Sequence, residues 1–244
     1  MKIPLPKIFM GLMAACSFNL SGDQYEYLHS QSGVNGVCKE IYHAQASQDE
    51  FVYALLYGML NKNDKGTYLE IGAGPPVTIN NTCFLESLGW EGLSIDIAAD
   101  HAQEWSSVRR NPLLVADATQ CDYSEILQSY PSVIDYLSLD VDGHYDVVLK
   151  RIPLDRYIFK IITIEHDFYR FGDLFKSKER EILSSYGYYL LCPDVTHPAC
   201  GSFEDWWIHP SAFSTQDLSK LSSLDLSWKD HKQIVRAITA LSGQ

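Results

Sequence analysis

Thr67-Tyr68-Leu69-Glu70-Ile71-Gly72-Ala73-Gly74-Pro75-Pro76 decides the fold. A β-prone apolar run ends in a carboxylate and then turns through Gly-x-Gly. Glycine there permits backbone conformations and close approaches denied to other residues. A second apolar run, Leu93-Ser94-Ile95, ends in Asp96, placed as a carboxylate that binds ribose hydroxyls would be. The pair points to a pocket for an adenosine-bearing cofactor.

The class of cofactor follows from what the loop lacks. A dinucleotide fold places a third glycine where this chain has Val77, behind Pro75 and Pro76. No Gly-Lys-Ser/Thr follows a glycine loop, which excludes a P-loop. Glu70 repels a phosphate and attracts an ammonium or a sulfonium. These residues favour S-adenosylmethionine over a phosphate-bearing cofactor.

Outward from this stretch, strands and helices alternate. Residues 47–61 read as a helix opened by a Ser47-x-x-Glu50 capping box. Strands follow at 67–72, 92–96, 113–117, 133–141, 159–165, 187–193 and 203–209, with helices at 80–88, 100–109, 123–130, 144–151 and 176–186. Residues 215–241 read as mostly helical. Near-continuous apolar strands separated by helices predict a doubly wound α/β fold: a mostly parallel, Rossmann-like sheet with helices on both faces. Residues 1–45 are expected to be an N-terminal extension and 46–244 the cofactor-binding domain.

Composition narrows the function. The chain has 244 residues, 46% apolar and 12% aromatic, ample for a packed core. Its net charge of −12 argues against a broad nucleic-acid surface. Arg109-Arg110 and Lys176 to Arg180 read as solvated helix faces. The cysteines Cys16, Cys38, Cys83, Cys121, Cys192 and Cys200 form no Cys-x-x-Cys pair, so neither a zinc cluster nor a disulfide framework is expected. They read as reduced core residues of a cytoplasmic protein. Within residues 1–22, Lys2 and Lys7 flank the start of an apolar stretch, Ile8 to Ala15, that resembles a weak export signal. Gly11 interrupts it and it is too short to span a bilayer, so no stable membrane insertion is expected.

Acidic residues stand at successive strand ends: Glu70, Asp96, Asp117, Asp140 with Asp142, and Glu165 with Asp167. In a parallel sheet ligands bind beyond those ends. A core strand has no structural need of a carboxylate there, and burying several unpaired is costly. The densest groups, Asp140-Val141-Asp142-Gly143-His144 and Glu165-His166-Asp167, place two acids on one side of each strand end. Such pairs repel unless a cation, a shared proton or a cationic substrate group intervenes. Asp140-x-Asp142-Gly143 lacks the ligand spacing and terminal Glu of an EF-hand.

Together, Glu70-Ile71-Gly72-Ala73-Gly74, Ile95-Asp96, Ala116-Asp117-Ala118 and Ile134-Asp135-Tyr136-Leu137-Ser138-Leu139-Asp140-Val141-Asp142-Gly143 resemble the class I S-adenosylmethionine-dependent methyltransferases. The likeness spans roughly residues 45–210 and is greatest to the FkbM-type group, whose fourth strand ends in Asp-x-Glu-Gly. Ser47-Gln48-Asp49 resembles the opening of that group. Glu70 and Gly74-Pro75-Pro76 depart from its Asp-x-Gly-Ala-Asn-x-Gly motif.

The resemblance implies that Glu70, Gly72, Ala73 and Gly74 surround the methionine end of the cofactor. Asp96 with Ile97 would meet the ribose, Asp117 and Ala118 the adenine, and Asp140 the transferring methyl. It also implies hydroxyl acceptors, small molecules or glycans, and a Mg²⁺ ion on Asp140, Glu165 and Asp167. A hydroxyl needs a base; Asp142 is the first candidate, then His144 and His166. Tyr169-Arg170-Phe171 and Trp206-Trp207 with His209 are candidate walls of the acceptor pocket. Two other readings stand beside this one. A nucleotide-cofactor oxidoreductase lacks its third glycine and a Tyr-x-x-x-Lys pair here. A non-catalytic module that binds adenosylmethionine or a partner is the other.

Overall fold

The apolar runs become the strands of one sheet. The computed structural model describes residues 42–241, within a compact unit of residues 41–244. The export-like stretch, Cys16, Cys38 and nearly all of the expected N-terminal extension lie outside the described residues.

Strands β1 (Thr67–Ile71), β2 (Glu91–Asp96), β3 (Leu113–Val115), β4 (Val133–Leu139), β5 (Ile158–Glu165), β6 (Tyr189–His197) and β7 (Gly201–Ile208) form one sheet. Their order is β3-β2-β1-β4-β5-β7-β6. β1 to β5 are parallel, and β7 runs antiparallel between β5 and β6. The order reverses between β1 and β4, which opens a crevice at their carboxyl ends. The two C-terminal strands form a hairpin with register shifts, and Asp194 at φ 58° stands at the irregularity.

Two apolar cores cover the sheet. One packs Tyr68, Tyr136, Ile161, Trp206 and Ile208 beneath helices α1 (Gln48–Tyr53), α2 (Cys83–Ser87) and α9 (His231–Leu241). The other packs Leu69, Ile71, Leu137, Ile162 and Trp207 beneath α4 (Tyr123–Ile126), α5 (Tyr145–Arg151) and α7 (Lys176–Ser185). Strand alternation sends Trp206 and Trp207 to opposite cores, where both are buried. They are packing residues and not pocket walls. The remaining helices are α3 (Ala102–Val108), α6 (Phe168–Phe171) and α8 (Thr215–Ser222). None among the described residues is long and apolar enough to cross a membrane.

Several local expectations change. α1 begins at Gln48 without the capping box: Ser47 is left-handed at φ 59° and its hydroxyl meets His231 Nδ1 at 3.0 Å. Asp49 caps instead, accepting the backbone N–H groups of His43, Ala44 and Glu50. The helix then widens into a π turn, Ala54–Met59. Arg109 and Lys176 are buried, not solvated.

At the crevice, Gly72 has φ 83°, and a Cβ there would lie 1.4 Å from the Asp140 carbonyl oxygen. Gly74, at φ 58°, faces open space. Gly72→Ala should therefore abolish folding or cost roughly 3 kcal/mol or more in urea unfolding. Gly74→Ala should cost only about 1 kcal/mol, from its backbone strain. Equal costs would overturn this account of the turn.

Candidate functional site

The glycine turn rests on a sealed polar network. Glu70 is buried, and its Oε2 accepts from Ser94 Oγ (2.6 Å) and Thr82 Oγ1 (2.8 Å). Burial raises its pKa, and nearby Arg109 opposes the rise. Arg109 donates to Glu86, the Pro76 carbonyl, Asn80, Tyr68 OH and Thr82. Asn80 in turn holds the carbonyls of Ala73 and Pro75 at 3.1 Å. Glu70 thus braces the turn from beneath. Arg109, Asn80 and Glu86 were missed in the sequence, where nothing set Arg109 apart from a surface arginine.

Above this base the backbone is ordered for a ligand. Gly72 N and Ala73 N donate to the Ile95 carbonyl, and Asp140 N donates to that of Ile71. Asp96 accepts from Gly74 N at 2.8 Å and from Ala98 N at 2.7 Å, tying the turn to the end of β2. Ile97 beside it is 72% exposed. Asp117 and Ala118 follow the end of β3, where the Thr119 hydroxyl and N–H hold the exposed Asp117 carboxyl below its usual range. Glu70, Gly72, Ala73, Gly74, Asp96, Ile97, Asp117, Ala118 and Asp140 thus all lie on or just beyond the ends of β1 to β4.

Beyond β4 the register sets a row of acids. Leu139 pairs with Ile164, so Asp140 stands beside Glu165, and Glu165 pairs directly with Glu204 of β7. Burial lifts the Asp140 carboxyl to about 6, although Glu165 opposes the rise, while burial and then Asp140 push the Glu165 carboxyl up to about 11. Glu204 is buried, and its Oε2 accepts from the Gln48 amide at 3.0 Å. Neither Glu204 nor Gln48 was singled out as a site residue; the antiparallel pairing that brings Glu204 here has no local signal.

Asp142, His144 and Asp167 are left-handed at φ 53°, 57° and 48°. Asp142 is exposed and ion-paired to Arg170, which also lies 3.4 Å from Asp167. Asp167 accepts from Tyr145 OH at 2.9 Å. His144 is exposed at the start of α5. His166 is fully buried and lies apart from both.

The set Asp140, Glu165 and Asp167 does not fit a divalent ion as it stands. Among the described residues these three carboxylates do not bring their oxygens close enough together to share an ion. A second group, His166, Asp194 and Asp205, brings its potential ligand atoms within 4.8 Å of one another. It does not fit either. His166 Nδ1 accepts from Phe168 N, so its Nε2 carries the proton, and that atom is 3.7 Å from Asp205. Lys176 and Arg180 already occupy the two carboxylates. Burial opposes ionisation of Asp194 and Asp205, yet these cations hold both below the usual range.

No family model matches the sequence, and no curated protein does. Similar folds occur among solved structures. Cofactor-bound Rv0187 from MTB aligns at 15% identity and TM-score 0.49, over 85% of this chain and 99% of that one. A precorrin-6y C5,15-methyltransferase from Geobacter metallireducens aligns at 14% and 0.43, over 71% and 90%. The 1,6-didemethyltoxoflavin-N1-methyltransferase of Burkholderia thailandensis, with S-adenosylhomocysteine bound, aligns at 15% and 0.41, over 67% and 77%.

The acid row has a consequence for stability. Burial lifts Glu204 from 4.5 to about 8. Between those values the folded chain keeps a proton that the unfolded chain releases, so this group's contribution to stability falls as pH rises. Glu204→Gln removes the dependence. Urea unfolding near pH 5 and near pH 8 should show the wild type losing at least ~1 kcal/mol more than the variant. Equal losses would refute the assignment.

Proposed function

We propose that the protein is an S-adenosylmethionine-dependent methyltransferase that transfers methyl to a hydroxyl of a small-molecule or sugar acceptor. The observation that carries this reading is the crevice between the ends of β1 and β4. There the turn is tied to Asp96, open above Gly74, and closed against the Asp140 carbonyl at Gly72. Asp96 keeps lone pairs free for ribose hydroxyls. Ile97 offers an apolar surface to the adenine, opposite Asp117 and Ala118. The open side of the turn at Gly74 faces the methionine end. The strand-end motifs, similar to those of the FkbM-type group, support the same reading.

Bound adenosylmethionine supplies an electrophilic methyl on a positive sulfur. Held by the Gly72–Gly74 turn and Asp96, it would supply that methyl to an acceptor hydroxyl, whose proton would pass to a base. In-line positioning supplies much of the acceleration. Asp140, beside the crevice, is the base this geometry favours. The earlier candidates rank behind it: Asp142 is paired with Arg170, His144 is at the rim, and His166 is sealed in the core. Arg170 and Tyr169, both exposed at the mouth, frame the acceptor.

Calorimetric titration with S-adenosylhomocysteine tests this reading. Saturable binding is expected, weakened about tenfold or more in Asp96→Ala by the loss of a charged acceptor for the ribose hydroxyls. Mg²⁺ or EDTA should leave the affinity unchanged. An acceptor screen with wild type and Asp140→Asn then tests the base. Absence of binding would sink the methyltransferase reading, and a Mg²⁺-dependent affinity would overturn the metal-free site.

A further inference from the structure

We propose that Glu204, pinned by Gln48, is a positioning residue that holds Glu165 against Asp140 and so aims the carboxyl row at the point of methyl transfer. The inference rests on the adenosylmethionine reading of the crevice.

The first observation is register. Gly72, Asp140, Glu165 and Glu204 occupy one line across β1, β4, β5 and β7. Alternation puts the three acid side chains on one face, two residues beyond the row of Glu70, Ser138, Thr163 and Trp206. Directly opposed side chains in an antiparallel pair stand about 5 Å apart at Cβ, so Glu204 has Glu165 as its immediate neighbour. Glu165 has Asp140 on its other side, one position beyond the Leu139–Ile164 pair.

The second observation is that Glu204 cannot swing away. It is buried, and Gln48 Nε2 holds its Oε2 at 3.0 Å. Gln48 is itself buried and oriented, because its Oε1 accepts from Ala46 N at 2.9 Å. The Gln48 amide therefore presents nitrogen, not oxygen, to Glu204. Its position is fixed by Asp49, which caps the helix start, and by the contact of Ser47 with His231. Glu204 is a fixed back-stop: Glu165, crowded from behind, has its carboxyl turned toward Asp140 and the crevice.

No cation contacts Asp140, Glu165 or Glu204 among the described residues. The row ends at the crevice, where the donor brings a positive centre. A group that places positive charge at the transfer position gains from the row, and a neutral group does not.

Two cofactor analogues read this directly. Sinefungin carries an ammonium where the donor carries its methyl, and S-adenosylhomocysteine carries nothing there. Calorimetry on the full-length protein should give wild type a preference for sinefungin on the order of tenfold, as one near charge at partial exposure supplies. Glu204→Ala, which removes the back-stop, should bring the ratio of the two affinities toward one, whatever happens to both affinities together. Glu204→Gln keeps the shape and should retain most of the preference. Should Glu204→Ala fail to fold, Gln48→Ala, which releases the pin together with the Ala46 N–H, should lower the ratio in the same direction.

A ratio unmoved by Glu204→Ala or Gln48→Ala in folded protein would overturn the positioning role alone. Wild type that binds neither analogue would instead sink the adenosylmethionine reading, and the inference with it.

Discussion

A carboxylate sealed beneath a glycine turn must find its donors inside the protein, and Glu70 makes that demand of three separate segments. Ser94 comes from β2, Thr82 from the loop ahead of α2, and the charge of Arg109 from the end of α3. An unsatisfied buried acid costs far more than an ordinary hydrogen bond returns. The chain therefore folds this region so that the segments converge. Arg109 carries the constraint upward, because the guanidinium that faces Glu70 and Glu86 also holds the Pro76 carbonyl. The turn is thus fixed from below by Asn80 and Arg109 and at its side by Asp96, and the space above Gly74 stays open.

The molecule buries acids in three ways, and the differences separate scaffold from site. Glu86 is neutralised by Arg109, and Asp194 and Asp205 by Lys176 and Arg180. These are closed ionic networks; removing one partner leaves an uncompensated charge, which is strongly destabilising. Glu179 lies in the same region with both oxygens unpartnered, and burial pushes its carboxyl well above the usual range. Asp140 and Glu165, half-buried, and Glu204, buried, follow the third way. No cation meets them among the described residues, and the Gln48 amide holds Glu204.

The sheet was legible because its evidence is local. Apolar runs such as Val133 to Leu139 carry period and length in themselves, and the strand ends follow from where the carboxylates stop them. What the sequence concealed were pairings between distant segments. Arg109 looks like half of a basic dipeptide on a helix face until Glu86 is brought under it. Trp206-Trp207 look like a ligand-stacking pair until strand alternation sends one ring to each core. Ser47 has the spacing of a cap, but its hydroxyl contacts His231 of α9 and leaves capping to Asp49. In each case a long-range contact overrode a local rule.

The loops after β4 and β5 are built differently from the row beneath them. Asp142, His144 and Asp167 hold left-handed backbone without being glycine, and such strain persists only where the surroundings impose it. One side chain, Arg170, joins the two loops by meeting Asp142 and Asp167. With Asp142 and Arg170 both exposed, solvent screens that link and it contributes little. The Gln48–Glu204 contact and the Glu70 network lie below it in buried, fully paired surroundings. The two loops are therefore held less strongly than the turn and the carboxyl row beneath them.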